Sequence, residues 1–304
     1  MQNSNLRRCV CLKAPAKVNL HLEVLRRRHD GYHDIETILQ AVDICDRVQV
    51  TLVERRPGGP PEIDLVVRPE GAAPTDKSNL CWQAARLFCR EKRVSGYLQI
   101  EVEKEIPASA GLGGGSSDAM AVLVACDRLF ETGLDRADLE RLGAMIGSDV
   151  PFFAAGGTQL GRGRGIELTP LNAPHGVRYV VLKPDFDVAT GNAYEALRMG
   201  LTVRTPAANL QVIKPLLARF PARPWFGFNR LEEVILPAHP DLSRILLRLR
   251  DQVPVAMLSG SGSAIFGVVE LEDQAEELIR EFAPSVEFAR SVGPLSCGVQ
   301  LLEG

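Results

Sequence analysis

PASAGLGGGSSDA, residues 107–119, is the stretch on which the reading of this chain turns. Its glycines at 111, 113, 114 and 115 permit positive φ and remove the β-carbons that keep a ligand at a distance. Residues 116–130 then carry Ala119, Leu123, Cys126 and Phe130 at three-to-four spacing, which predicts a helix with one buried stripe. A glycine-rich loop running into a helix start offers unpaired N–H groups and the positive end of the helix dipole, so the pattern calls for an anion such as phosphate. The expected cradle is Pro107, Ala108, Ser109, Ala110, Gly111, Leu112, Gly113, Gly114, Gly115, Ser116 and Ser117. Ser116 and Ser117 add hydroxyl donors or, at Ser117, a ligand for Mg²⁺, while Asp118 is expected to complement the dipole. Two rival motifs fail. There is no Gly-Lys-Ser/Thr ending for a P-loop, and the βαβ context of a dinucleotide fold is missing. A flexible linker is the plain alternative, and linkers rarely run straight into an amphipathic helix.

Upstream of this stretch, alternation predicts strands at 18–25, 47–53, 63–67 and 98–102, with the loop RRPGGPP at 55–61 and a helix over 79–93. Downstream, 136–146 reads as a helix that ends before Pro151, and short strands surround GRGRG at 161–165. A new unit begins after Pro174, with strands at 177–182, 255–258 and 264–269, several helices, a helix at 272–282 and terminal strands near Val286 and Val299. The mixture points to an α+β fold, and 304 residues favour two domains, 1–170 and 171–304.

Hydrophobic residues at 45% and charged residues at 24% describe a globular chain with a sizeable core. A formal charge of −3 gives no reason to expect nucleic acid or an anionic membrane as partner, and Arg26, Arg27 and Arg28 read as a solvated rim. Seven scattered cysteines without CxxC or histidine companions read as reduced thiols. No stretch reaches the ~20 apolar residues of a membrane span, and the start lacks an apolar signal core. The expectation is a cytoplasmic protein, monomeric or weakly dimeric.

Three further segments carry chemistry. In LKAPAKVNLHL, residues 12–22, Lys17, Asn19 and His21 fall on one side of a strand, and an interior lysine needs a partner. In GSDVPFF, residues 147–153, Asp149 stands beside a proline break as either a sheltered acid or a helix-end cap. In MLSGSGSAIFG, residues 257–267, Gly260 and Gly262 mark close backbone approach or an ordinary hairpin.

In this order, APAKVNLHL, PASAGLGGGSSDA and LSGSGSAIFG resemble the three motifs of the GHMP kinase superfamily, and the resemblance spans nearly the whole chain. DGYHDIETILQAVDICDRV, residues 30–48, and GSDVPFF resemble the branch whose acceptor is a cytidine-diphosphate-linked methylerythritol. The resemblance implies a two-domain fold, with an N-terminal ribosomal-protein-S5-domain-2-like domain and a C-terminal ferredoxin-like α/β sandwich. It implies transfer of the γ-phosphoryl group of ATP, with Mg²⁺, to a small alcohol. By the same resemblance Asp149 is the general base and Lys17 its partner, Asn19 lies near the transferred group, Tyr32 stacks on cytosine and His33 bonds its edge. Asp185, Thr190, Gly260 and Ser261 are implied as substrate contacts. One departure stands out: residues 228–232 read FNRLE where the family commonly carries FNDLE, so Arg230 replaces an acid. A kinase of another alcohol, of the homoserine or mevalonate type, would lack DGYH. A binding protein without catalysis would have no use for both Lys17 and Asp149.

Overall fold

The computed structural model describes residues 7–188, 190–197 and 228–302. Its frame is one long antiparallel hairpin, β1 (Arg8–Arg27) with β2 (His33–Arg56). The alternation at 18–25 and 47–53 marks only parts of these strands. From Ala14 to Val24 every residue of β1 is buried, yet the alternation persists: Ala16, Val18, Leu20, Leu22 and Val24 enter apolar cores, while the other face carries the buried polar side chains of Lys17, Asn19, His21 and Glu23. β3 (Glu62–Arg68) runs parallel to β4 (Ser95–Glu103), and α1 (Leu80–Lys92) makes the crossover between them. The Asn79 side chain accepts the Cys81 N–H at 2.8 Å and starts α1, and Arg93 in the left-handed region ends it.

After β4 come α2 (Gly114–Phe130), α3 (Arg136–Ile146) and the single turn α4 (Phe152–Ala155), followed by the hairpin β5 (Thr158–Arg162) and β6 (Glu167–Leu171). The order β12-β1-β2-β4-β3 runs across this first sheet, with β5 on the far part of β2. The second half supplies β7 (Arg178–Lys183), α5 (Thr190–Ala196), β8 (Phe228–Asn229), α6 (Glu232–Ala238), α7 (Pro240–Arg250), β9 (Val255–Leu258), β10 (Ile265–Val269), α8 (Glu272–Phe282), β11 (Phe288–Val292) and β12 (Gln300–Leu301). Four of these strands form an antiparallel sheet in the order β11-β7-β10-β9. The fold is α+β, and part of the helical stretch expected before β9 falls on 198–227, outside the described residues. Position 170 lies at the end of β6, yet the second half returns to the first sheet twice. β8 pairs with β1 at His21 and Leu22, and β12 pairs with it at Leu12 and Lys13.

β1 is ~66 Å long at ~3.3 Å per residue, enough to pass through several cores. Leu12 and Ala14 join the core under α1, α2 and α3, whereas Ala16, Val18 and Leu20 face Tyr179, Met257 and Phe266 of the second sheet. Leu22 and Val24 enter a third core with Leu242, Leu246 and Leu278 from α7 and α8. No described helix is long and apolar enough to cross a membrane. Because the Asn79 cap satisfies an otherwise unpaired N–H of α1, Asn79→Ala is expected to lower stability by about 1 kcal/mol, measured by urea denaturation.

Candidate active site

Lys17 lies on β1 where the glycine loop, the corner after α3 and the β9–β10 turn converge. Its Nζ donates to Asn19 Oδ1 at 2.6 Å and to the Gly111 carbonyl at 2.7 Å, and it stands 3.7 Å from Asp149 Oδ2. The lysine side chain is 3% exposed while that of Asp149 is 41% exposed. Burial pushes the Lys17 ammonium below the usual lysine range, and the charge of Asp149 opposes that shift. Asn19 is held in turn, its Nδ2 donating to Thr37 Oγ1 at 2.8 Å. Asp149 does not cap a helix: the N-cap of α4 is Pro151, with no side-chain cap bond. His21 lies past a one-residue irregularity in the β1–β2 ladder and packs on Phe228, at 5.7 Å between ring centres, away from the cleft.

The glycines serve a purpose that the sequence reading does not anticipate. Gly111 has φ of +74°, and a β-carbon there would sit 2.1 Å from the Ser259 carbonyl oxygen. At Gly113, also at +74°, it would meet Phe153 at 2.9 Å and Lys17 at 3.0 Å, and at Gly114 it would meet Ile106 at 3.0 Å. Three of the four glycines therefore answer to protein packing, and Gly115, with Leu80 at 3.9 Å, is the one with open space. α2 begins at Gly114 without a side-chain cap, and its first backbone bond runs from Ser117 N to Gly113 O at 2.9 Å. The N–H groups of Gly114, Gly115 and Ser116 thus lack intrahelical partners.

A cleft of about 880 Å³ adjoins this helix start. Ser116, Ser148 and Asp149 line it together with Arg27, Tyr32, His33, Arg164 and Tyr194. The tight turn between β1 and β2 presents Tyr32 and His33. Gly31 adopts φ of +86°, Asp30 accepts the Tyr32 N–H at 3.2 Å, and Arg28 N donates to the Tyr32 carbonyl at 2.7 Å. Arg26 and Arg28 form the expected rim by pairing with Asp34, whereas Arg27 reaches the cleft. The Arg164 guanidinium lies 4.6 Å over the half-exposed Tyr32 ring, and Tyr194 comes within 5.3 Å of His33. Burial, with help from Arg27, holds His33 below the usual histidine range, which favours a neutral ring with one donor and one acceptor.

Residues 79–157 match the family of GHMP kinases N terminal domain. A 4-diphosphocytidyl-2-C-methyl-D-erythritol kinase from Shouchella clausii is 36% identical over 92% of this chain and 94% of its own length. The protein of that name from Synechococcus sp. (strain JA-2-3B'a(2-13)) is 39% identical over 91% of each. The chain belongs to the 4-diphosphocytidyl-2-C-methyl-D-erythritol kinase family. A crystal structure of such a kinase, 34% identical, superposes with a TM-score of 0.73 over 93% of this chain and 99% of the other. A homoserine kinase from Cytophaga hutchinsonii reaches the same TM-score at 17% identity, which speaks for the fold alone.

Not every residue implied by the family resemblance lies in the cleft of this kinase. Gly260, with φ of +56°, packs so closely that a β-carbon would lie 3.1 Å from Lys17 Nζ, and Ser261 is buried in the same turn. Asp185 lines a separate groove of about 600 Å³ with Lys104, Pro107 and Ala108. Thr190 opens α5, and its side chain lies outside the described residues. The sequence reading misses Arg164 and Tyr194. The GRGRG run marks the first as a candidate, and the second lies in residues 184–197, the same stretch as the implied contacts Asp185 and Thr190.

Asp118 turns inward instead of facing the helix dipole. Its Oδ2 accepts from Lys104 Nζ at 2.7 Å, and the same ammonium bonds Asp46, whose Oδ1 accepts the N–H groups of Glu105 at 2.7 Å and Ile106 at 2.8 Å. Two carboxyls share one ammonium out of water. Burial pushes Asp118 up to about 8, Lys104 pulls the other way, and the charge of Asp46 adds to the rise. In the unfolded chain the same group titrates near ~3.9. A raised folded value stabilises the fold fully below the unfolded value, and that stabilisation is lost as pH climbs to the folded one. Relative to Asp118→Asn, the wild type should therefore lose stability between about pH 4 and pH 8 and run level above that. Urea denaturation of both proteins across this range checks it, and parallel curves would show that Asp118 is ionised in the fold.

Proposed function

We propose that the protein transfers the γ-phosphoryl group of ATP to the 2-hydroxyl of 4-diphosphocytidyl-2-C-methyl-D-erythritol, giving the 2-phosphate and ADP in the non-mevalonate isoprenoid precursor pathway. The observation that carries this reading is the carboxylate of Asp149, in the cleft wall beside Ser116 and 3.7 Å from a buried ammonium. Phosphoryl transfer needs chiefly positioning and charge neutralisation, and such a wall supplies both.

The triphosphate lies against the start of α2, where the N–H groups of Gly115 and Ser116 and the dipole meet negative charge. Ser109, at φ of +51°, helps turn the loop before it. The acceptor hydroxyl sits between Asp149 and the terminal phosphate. Asp149 takes its proton as the bond to phosphorus forms, and Lys17 stabilises the charge on the oxygen. Asn19 holds the lysine through its Oδ1. Elsewhere in the cleft lining Tyr32 offers a face for the cytosine ring, with Arg164 over its ring and Tyr194 near His33, and neutral His33 bonds the base edge.

Among the described residues no cluster of three metal-binding side chains exists, which suits a magnesium ion carried by the nucleotide's own oxygens. Ser116 reaches the cleft, and the buried Ser117 hydroxyl has no hydrogen-bond partner, so these two hydroxyls fit as the protein's contribution. When bound, Mg²⁺ neutralises phosphate charge. We read residues 1–170 as the part that bears the loop and catalytic pair, with 171–304 completing the cleft.

ADP release over a panel of alcohols tests the assignment, which fails if the cytidyl substrate is no better than homoserine or mevalonate. Asp149→Ala is expected to lower turnover about 100-fold or more while leaving the KM for ATP nearly unchanged. Equal turnover in the variant would remove Asp149 from the mechanism.

A further inference from the structure

The segment FNRLE, residues 228–232, carries the buried Arg230, and the phosphotransfer leaves it without a role. Its polar side chains all reach outward to other elements. Arg230 Nε and NH2 donate to Glu23 Oε1 and Oε2 at 2.7 and 2.8 Å, a two-pronged pair with side chains 7% and 4% exposed. The Arg230 N–H donates to the Leu22 carbonyl at 2.8 Å, and the guanidinium lies 4.7 Å over the Phe228 ring. Asn229 Nδ2 donates to the Gly260 carbonyl at 2.7 Å and to the Leu258 carbonyl at 3.1 Å, while its Oδ1 accepts the Leu231 N–H at 3.0 Å. Glu232 Oε1 accepts the Leu258 N–H at 2.9 Å. The segment is bonded on one side to β1 and on the other to the turn that covers Lys17.

We propose that Asn229 and Arg230 are positioning residues, in which the Glu23–Arg230 pair fixes the 228–232 segment to β1 so that Asn229 holds Gly260 down over the Lys17 ammonium. This rests on the phosphotransfer reading of the same site. Gly260 approaches Lys17 so closely that a small lift of the turn opens a path for water to the ammonium. Water would then compete for the bonds to Asn19 and Gly111 that aim Nζ at Asp149. An acid at 230 would set two carboxylates against each other out of water, so the basic residue here goes with Glu23, and the planar guanidinium matches both of its oxygens. Because neither side chain lines the cleft, their loss should not touch substrate binding directly.

The test is steady-state kinetics of Asn229→Asp, Arg230→Met and Arg230→Lys beside the wild type, each well below its own Tm. Asn229→Asp keeps the shape and the Leu231 acceptor but loses both donors. It and Arg230→Met are expected to lower kcat about 10-fold or more, with both KM values within about threefold. Arg230→Lys, which can still charge-pair with Glu23, should recover part of the loss. A purely structural role would lower Tm and leave kcat within twofold of wild type, and that result overturns the proposal, as does a rise in KM at unchanged kcat. Should Arg230→Met not fold, Asn229→Asp decides by the same split. An active wild type with unaffected variants refutes the positioning alone, whereas a wild type that phosphorylates none of the alcohols refutes the reaction and the positioning with it.

Discussion

A lysine ammonium held out of water costs several kcal/mol unless acceptors surround it, and the architecture of this kinase follows from meeting that demand at Lys17. One acceptor comes from its own strand, one from the glycine loop and a charge from the corner after α3. Segments far apart in sequence are thereby tied to one atom. The Ser259 hydroxyl adds a bond to the same Gly111 carbonyl at 3.0 Å, so the β9–β10 turn is drawn in as well. Gly111 lacks a side chain because Ser259 presses on it, and Gly260 lacks one because Lys17 does. Each motif thus enforces the composition of the next, and the start of α2 is shaped by protein contacts before any nucleotide arrives. On the proposed mechanism that is preorganisation in the physical sense: the N–H groups at the start of α2 would meet the developing charge without rearrangement during the reaction.

The length of β1 makes this convergence possible. An ordinary strand serves one core, but this one serves three in succession, first under α1, α2 and α3, next against the second sheet, then against α7 and α8. Lys17 and Asn19 fall in the middle section and alternate with Ala16, Val18 and Leu20, so while those three pack on the second sheet the polar pair stands on the other face of β1, toward the glycine loop and Asp149. Pairing of β8 and β12 with β1 fixes the second half to the same strand at both ends of this section. Movement of one half against the other is limited by backbone ladders as well as by side-chain packing.

Features encoded within a single stretch were legible before the fold was known. Helix α1 announces itself through its apolar stripe, and the glycine loop through its composition and the helix that follows. Features that arise between stretches were not. Residues 33–46 complete β2, but burial on both sides removes the period-two signal over much of that length. Asp118 looks like a first-turn acid until Lys104, just past the end of β4, turns inward to meet it. Tyr194 and Arg164 lie far in sequence from the Tyr32–His33 turn, and only the closure of the fold around the cleft brings them to His33 and Tyr32.

Three groups of buried charge lie along the β1–β2 hairpin, and the contrast among them argues for the role of Asp149. Asp46 and Asp118 surround Lys104, and Glu23 is gripped by Arg230, in each case at hydrogen-bond distance and with side chains at most 7% exposed. Carboxyl groups so engaged have little capacity left for a reaction, and their worth lies in fixing which elements meet. Asp149 differs on both counts. It is 41% exposed, and at 3.7 Å from Nζ it feels the lysine's charge without a short hydrogen bond to it, since the direct bonds of Lys17 go to Asn19 and Gly111. Its lone pairs face the cleft beside Ser116, where an incoming hydroxyl would meet them. A general base needs to be held and yet unoccupied, and of the carboxylates that line or underlie this site Asp149 meets both conditions.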